Sequence, residues 1–252
     1  MMLFHKHNDI SDPHFHWRGH EMSRLEAFSD AVFAFAVTLL VVSLEAPRSF
    51  AELKLDLLEF PAFAICFLFL VLVWYRHAEF FRRYGLQDAV TTAWNMVLLF
   101  VVLFYVYPLK FVATLVVASI TQGATLRPGQ TMLISDLEAP LLMATYGLGF
   151  AAVHLVFGLL HRHALTMSGP LELDEMEQFI TRRGRNMNLG MMCFGLLSAV
   201  LAFALPLSWF NLSWMVYMFI GLYRSWEGTR YWKQLKILEG KLKKEEAKKA
   251  HS

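Results

Sequence analysis

The chain has 252 residues, 56% hydrophobic and 15% aromatic but only 17% charged, with a formal net charge of +2 and a positive mean hydropathy. That is more apolar surface than a soluble domain of this length carries, so the composition points to an all-α polytopic membrane protein and its partner to a lipid bilayer. The basic residues gather unevenly in certain loops and in the tail, which informs topology rather than nucleic-acid binding, so no nucleic acid is expected as a partner. The two cysteines, Cys66 and Cys193, lie inside apolar runs where neither a disulfide framework nor a zinc ligand set is expected.

A polar, His-rich head opens the chain and lacks the basic, apolar, small-residue order of a cleaved signal peptide, so the first span is expected to be retained. Its His5, His7, His14, His16 and His20 are read as part of a disordered segment rather than a metal site, because no closed ligand geometry is visible. Apolar runs long enough to cross a bilayer follow at about 26–45, 58–76, 89–109, 139–161, 187–206 and 211–226, which predicts six transmembrane helices. The third is expected to end at Tyr105-Val106-Tyr107-Pro108, with Lys110 snorkelling to the interface. The fifth and sixth share one charge-free run from Asn186 to Tyr223, which Pro206, Ser208, Asn211 and Ser213 are expected to divide at a tight turn. The expected organisation is a cytoplasmic head over 1–22, a six-helix channel domain over 23–232 and a Lys-rich cytoplasmic tail over 233–252. Basic residues gather after the second span (Arg76, Arg82, Arg83), between the fourth and fifth (Arg162, Arg182, Arg183, Arg185) and in the tail. The positive-inside rule therefore places both termini in the cytoplasm of a multi-pass protein of the cell's inner (plasma) membrane.

The first span carries the sharpest local pattern. Phe28, Ala31, Phe35, Thr38, Leu39 and Val42 recur at three- and four-residue steps and share one helix face. Asp30 lies about 140° round from Phe35 at 100° per residue, and a carboxylate this far into an apolar helix is costly without a partner. Another helix is the better place to seek that partner.

Arg24, three residues, then Phe28, Ser29 and Asp30 resemble the Arg-x-x-x-Phe-Ser-Asp signature that opens the first helix of the transmembrane protein 175 family of potassium channels, and Trp74 and His77 are similar to the Trp-x-x-His pair of the family's second helix. The resemblance implies a homotetramer that passes monovalent cations, potassium foremost, with four first helices round the conduction axis and no cofactor. Phe35, Leu39 and Val42 would then form a hydrophobic constriction, Thr38 a selective ring of hydroxyls, and Arg24, Phe28, Ser29, Asp30, Trp74 and His77 a structural polar network behind the pore. Related chains carry Ile or Leu where this one has Phe35, so the bulkier ring either tightens the gate or packs sideways.

Thr145-Tyr146-Gly147-Leu148-Gly149 lies within a span and lacks the order and hairpin of the carbonyl-lined filter of ordinary potassium channels, so close packing at Gly147 and Ala151 is expected there. His154 is expected to be a hydrogen-bonded structural histidine. Glu45, Glu52 and Asp56 flank the outer end of the first span, where Arg48 and Lys54 weaken their field. No nucleophile stands beside a base and no glycine loop fits a phosphate, so an enzyme is not expected. The reading is a potassium-preferring, modestly selective cation channel; the competing one is a proton-coupled transporter that uses Asp30, His77 and His154 as relay groups.

Overall fold

The computed structural model describes residues 15–42, 49–121, 138–205 and 212–250, and every regular element among them is helical. The elements are α1 (Arg24–Val42), α2 (Phe50–Tyr84), α3 (Ala89–Ile120), α4 (Glu138–Thr166), α5 (Glu175–Ala204), the one-turn α6 (Leu212–Met215), a 3₁₀ turn (Val216–Met218) and α7 (Phe219–Ala250). Five of them, α1 to α5, are long and apolar enough to cross a membrane. The sixth predicted span is instead built from α6, the 3₁₀ turn and the start of α7, which runs on without a break through the Lys-rich tail. Of the turn predicted before it, residues 206–211 lie outside the described residues.

The helix starts follow from side chains that accept the free amide protons of a first turn. Ser49 accepts from the Glu52 amide, Asp88 from those of Val90 and Thr91, and Asp174 from that of Glu177, whose carboxylate returns the bond to the Asp174 amide. Ser23 and Glu26 make the same reciprocal pair at the start of α1, at 3.1 and 2.9 Å. The third span does not end at Pro108: α3 continues past Pro108 and Lys110 to Ile120. A proline removes one ladder bond, and a long membrane helix absorbs that loss.

α1, α2 and α3 pack on one another, α3 leans on α4, and α4 pairs with α5 more extensively than any other two elements; α6, the 3₁₀ turn and α7 line up along α5. The α4 and α5 backbones meet at Gly147 and Gly195, where a β-carbon on either would stand 2.6 Å from the other's carbonyl oxygen, and Ala151 and Ala199 flank the crossing. The Thr145–Gly149 stretch is thus a packing seam, as its residues predict.

The described part of the head, from Phe15, packs on the bundle rather than being disordered. Phe15 is buried against the edge of Tyr84, and the amides of Arg18 and Gly19 donate to the Arg82 carbonyl. Arg18 reaches α5, where its guanidinium donates to both oxygens of the buried Glu177 at 3.0 and 2.6 Å. The strap crosses the end of α2 closely because Gly85 takes a left-handed φ of 59° there and Gly19 presents no β-carbon, which would stand 2.7 Å from the Phe81 carbonyl. The ends of α2 and α4, the starts of α3 and α5 and this strap therefore share one end of the bundle, which holds Arg82, Arg83, Arg162, Arg182 and Arg183. His163 bridges two of them by a 2.9 Å bond to Asp88. Slight burial raises the Asp88 carboxyl, but bonds from the Thr91 hydroxyl and amide and from His163 outweigh it and hold the group down to about 2.

Candidate functional site

α1 has two unlike faces. Ser29, Phe33, Ala36 and Leu40, spaced four, three and four residues apart, are buried against α2 and α3. On the other side Phe28, Ala31, Phe35, Thr38 and Val42 are exposed, with Phe35 at 55% and Val42 at 70%, and Leu39 is half-buried beside them. Among the described residues, this stripe is left largely uncovered by the rest of the chain. The Thr38 hydroxyl donates its proton to the Ala34 carbonyl one turn back, at 3.0 Å. Its oxygen therefore presents only lone pairs to the exposed side, the character a dehydrating cation requires.

Asp30 points away from that stripe, and its Oδ1 accepts from the indole Nε1 of Trp74 on α2 at 2.7 Å. A separate buried chain of bonds joins α1, α2 and α3. Ser29 Oγ donates to the Leu25 carbonyl at 2.7 Å and accepts from Asn95 Nδ2 at 2.8 Å, while Asn95 Oδ1 lies 2.8 Å from His77 Nε2. An amide oxygen only accepts, so His77 carries its proton on Nε2. Its Nδ1 is buried without a partner, and the ring lies against Phe81 and Phe33. Asn95 is absent from the residues the sequence singles out, although an amide inside the apolar run of the third span was the signal available. Arg24 and Phe28 do not join the network within one chain: both are exposed, and Arg24 makes no hydrogen bond or ion pair among the described residues. The physical reason is their position on the helix, since Phe28 lies on the open stripe and Arg24 in the solvent-facing first turn.

The other intramembrane histidine, His154, bonds through Nδ1 to Asn188 Oδ1 at 2.9 Å, and Asn188 in turn donates to the Gly184 carbonyl. Asp30, His77 and His154 thus belong to three separate bonded groups. His16, Asp174 and Glu177 bring ligand atoms within 4.8 Å of one another. Both Glu177 oxygens already accept from Arg18 and from the His16 and Asp174 amides, which makes the group an ion pair and helix cap rather than a metal centre. His5, His7 and His14 lie outside the described residues.

Comparison with known proteins identifies the family. The family model described as the endosomal/lysosomal potassium channel TMEM175 matches residues 24–105, which span α1, α2 and the first half of α3. A potassium channel of Marivirga tractuosa is 41% identical over 201 residues, covering 77% of this chain and 80% of that protein. A potassium channel of Chamaesiphon minutus is 27% identical over 154 residues, 58% of this chain and 67% of that one. Among solved structures, a variant of the potassium channel MtTMEM175 in complex with a nanobody fusion superposes with a TM-score of 0.79 at 36% identity, covering 88% of this chain and 99% of that chain. A polytopic helical fold with this first-helix geometry, together with relatives of such identity and coverage, makes this chain a member of the TMEM175 family.

Proposed function

We propose that four copies of this chain surround a shared axis, with α1 innermost, and conduct potassium in preference to sodium across the cell's inner membrane. The observation that carries the reading is the two-faced α1: one stripe is buried on α2 and α3, while Phe28, Ala31, Phe35, Thr38 and Val42 are left open for other copies to cover. Its relatives bear the name of potassium channels. In this reading Phe35, Leu39 and Val42 narrow the path and close it by dewetting, and Thr38 oxygens replace part of the water a cation sheds. Rings of hydroxyls and apolar groups discriminate less than a multi-site carbonyl filter, so selectivity is modest. Ser29, Asp30, Trp74 and His77, with Asn95, hold the pore helix to its neighbours. The gathering of arginines at one end of the bundle supports a cytoplasmic location for that end and for both termini.

The separation of Asp30, His77 and His154 into unconnected groups argues against a proton relay and so against a coupled transporter. Flux into liposomes tests the proposal: potassium should move down its own gradient with no pH difference imposed, and Phe35→Cys should render that flux sensitive to a water-soluble thiol reagent. Uptake that requires a pH gradient refutes it.

A further inference from the structure

A cavity of about 580 Å³ is lined by residues of α2, α4, α5 and α7. We propose that this cavity is a binding site for the phosphate-bearing headgroup of an anionic phospholipid. Four guanidinium groups line it, those of Arg76, Arg83, Arg183 and Arg224, against the single carboxylate of Glu79. That carboxylate is already engaged, since Arg83 donates to it at 2.8 Å. Arg76 lies near the Glu79 carboxylate as well as the like charges of Arg224 and Arg83, and neither Arg76 nor Arg224 makes a hydrogen bond or ion pair among the described residues. Arg183 lays its guanidinium on the Tyr231 ring, 3.8 Å from the centroid, and its buried Nε–H has no acceptor. Cations crowded at the end of a membrane bundle are costly unless an anion joins them, and the planar guanidinium fork matches a phosphate.

The rest of the lining says which phosphate. Phe69, Val73, Phe150 and Met191 give the lining an apolar part. Along α2 the lining runs from Phe69 to Arg83, about 21 Å at 1.5 Å per residue, which is room for a headgroup and the upper part of an acyl chain, with the arginines beginning at Arg76. Leu72, which lines the cavity, is 63% exposed, so the cavity opens toward the apolar surface of the chain. A free phosphate would use the arginines and leave the apolar part of the lining uncovered, whereas a lipid covers both.

The test is to purify the full-length protein in detergent, titrate it with phosphatidylglycerol, phosphatidylcholine or inorganic phosphate, and read bound lipid by native mass spectrometry and stabilisation by thermal melting. Phosphatidylglycerol should be retained in preference to phosphatidylcholine and should raise the melting temperature. Arg76→Gln/Arg224→Gln should weaken its retention about tenfold or more, the loss expected from removing charge-assisted bonds. Arg76→Gln alone serves as a milder variant should the pair express poorly. Equal retention of the two lipids, undiminished retention in the variants, or the same stabilisation from inorganic phosphate would each overturn the assignment.

Discussion

Asn95→Ala removes the side chain that ties α1 and α2 to α3. Asn95 and Ser29 are fully buried and His77 is 1% exposed, so no water takes the place of the missing amide. Ser29 keeps its bond to the Leu25 carbonyl; His77 does worse, because its Nε2–H loses its acceptor while Nδ1 is already unpartnered. An orphaned buried donor costs about 1–3 kcal/mol, and interhelical side-chain bonds in membranes average about 0.6 kcal/mol with a maximum near 1.7. We therefore expect Asn95→Ala to destabilise by about 2 kcal/mol. His77→Phe, which keeps the ring contacts with Phe33 and Phe81, should cost about 1 kcal/mol, and the double variant should cost about 1 kcal/mol less than the sum of the two. The assay is a denaturant titration of the detergent-solubilised protein, followed by intrinsic fluorescence, on all four members of the cycle. Costs that add within about 0.3 kcal/mol would refute the bond as an energetic link, since independent sites behave that way.

Other perturbations probe separate parts of the molecule. Thr38→Ala should lower the potassium-to-sodium permeability ratio several-fold, as about 1 kcal/mol of ion coordination is lost, while gel filtration shows an unchanged oligomer; an unchanged reversal potential would remove Thr38 from the selective step. Glu177→Gln breaks the bond pair to Arg18 and should speed tryptic cleavage at Arg18 at least tenfold, read by mass spectrometry of the fragments, because a buried ion pair that loses one partner costs about 3 kcal/mol. Gly195→Ala places a methyl group 2.6 Å from the Gly147 carbonyl and should cost about 2 kcal/mol in the same titration, by forcing α4 and α5 apart. The Asp88 carboxyl is held below its ordinary 3.8, at about 2, so its contribution to stability is fully present above pH 4 and is lost as pH falls through 2. The stability gap between the wild type and Asp88→Ala, about 1 kcal/mol for a lost helix cap, should therefore shrink between pH 4 and pH 2.

The parts of this molecule that were legible in the sequence are those that one helix writes by itself. Alternation every three to four residues separates the two faces of α1, and the isolation of Asp30 in an apolar run demands a partner on another helix, which Trp74 supplies. Small residues at Gly147 and Ala151 announce a close helix crossing. What escaped was written across helices. Asn95 stands near the start of an apolar run, where an amide passes for an interfacial residue, and only the packed bundle brings it between Ser29 and His77. The Arg18 to Glu177 bond spans 159 positions, and no local period encodes it. Pro108 and Lys110 misled for a related reason: a proline signals the end of a helix in water and a lysine the end of a membrane span, whereas a bilayer offers the backbone nothing to exchange its bonds for, and α3 carries on to Ile120.

The clasp between Arg18 and Glu177 also has a mechanical meaning. Only a short leash of chain separates Arg18 from Arg24, no more than about 20 Å even when pulled taut, and its anchor is the foot of α5, locked to α4 through the Gly147 and Gly195 contact. Because Arg18 is tied both to Glu177 on α5 and, through its amide, to the Arg82 carbonyl on α2, a shift of α5 against α2 must carry the strap along or break one of those bonds.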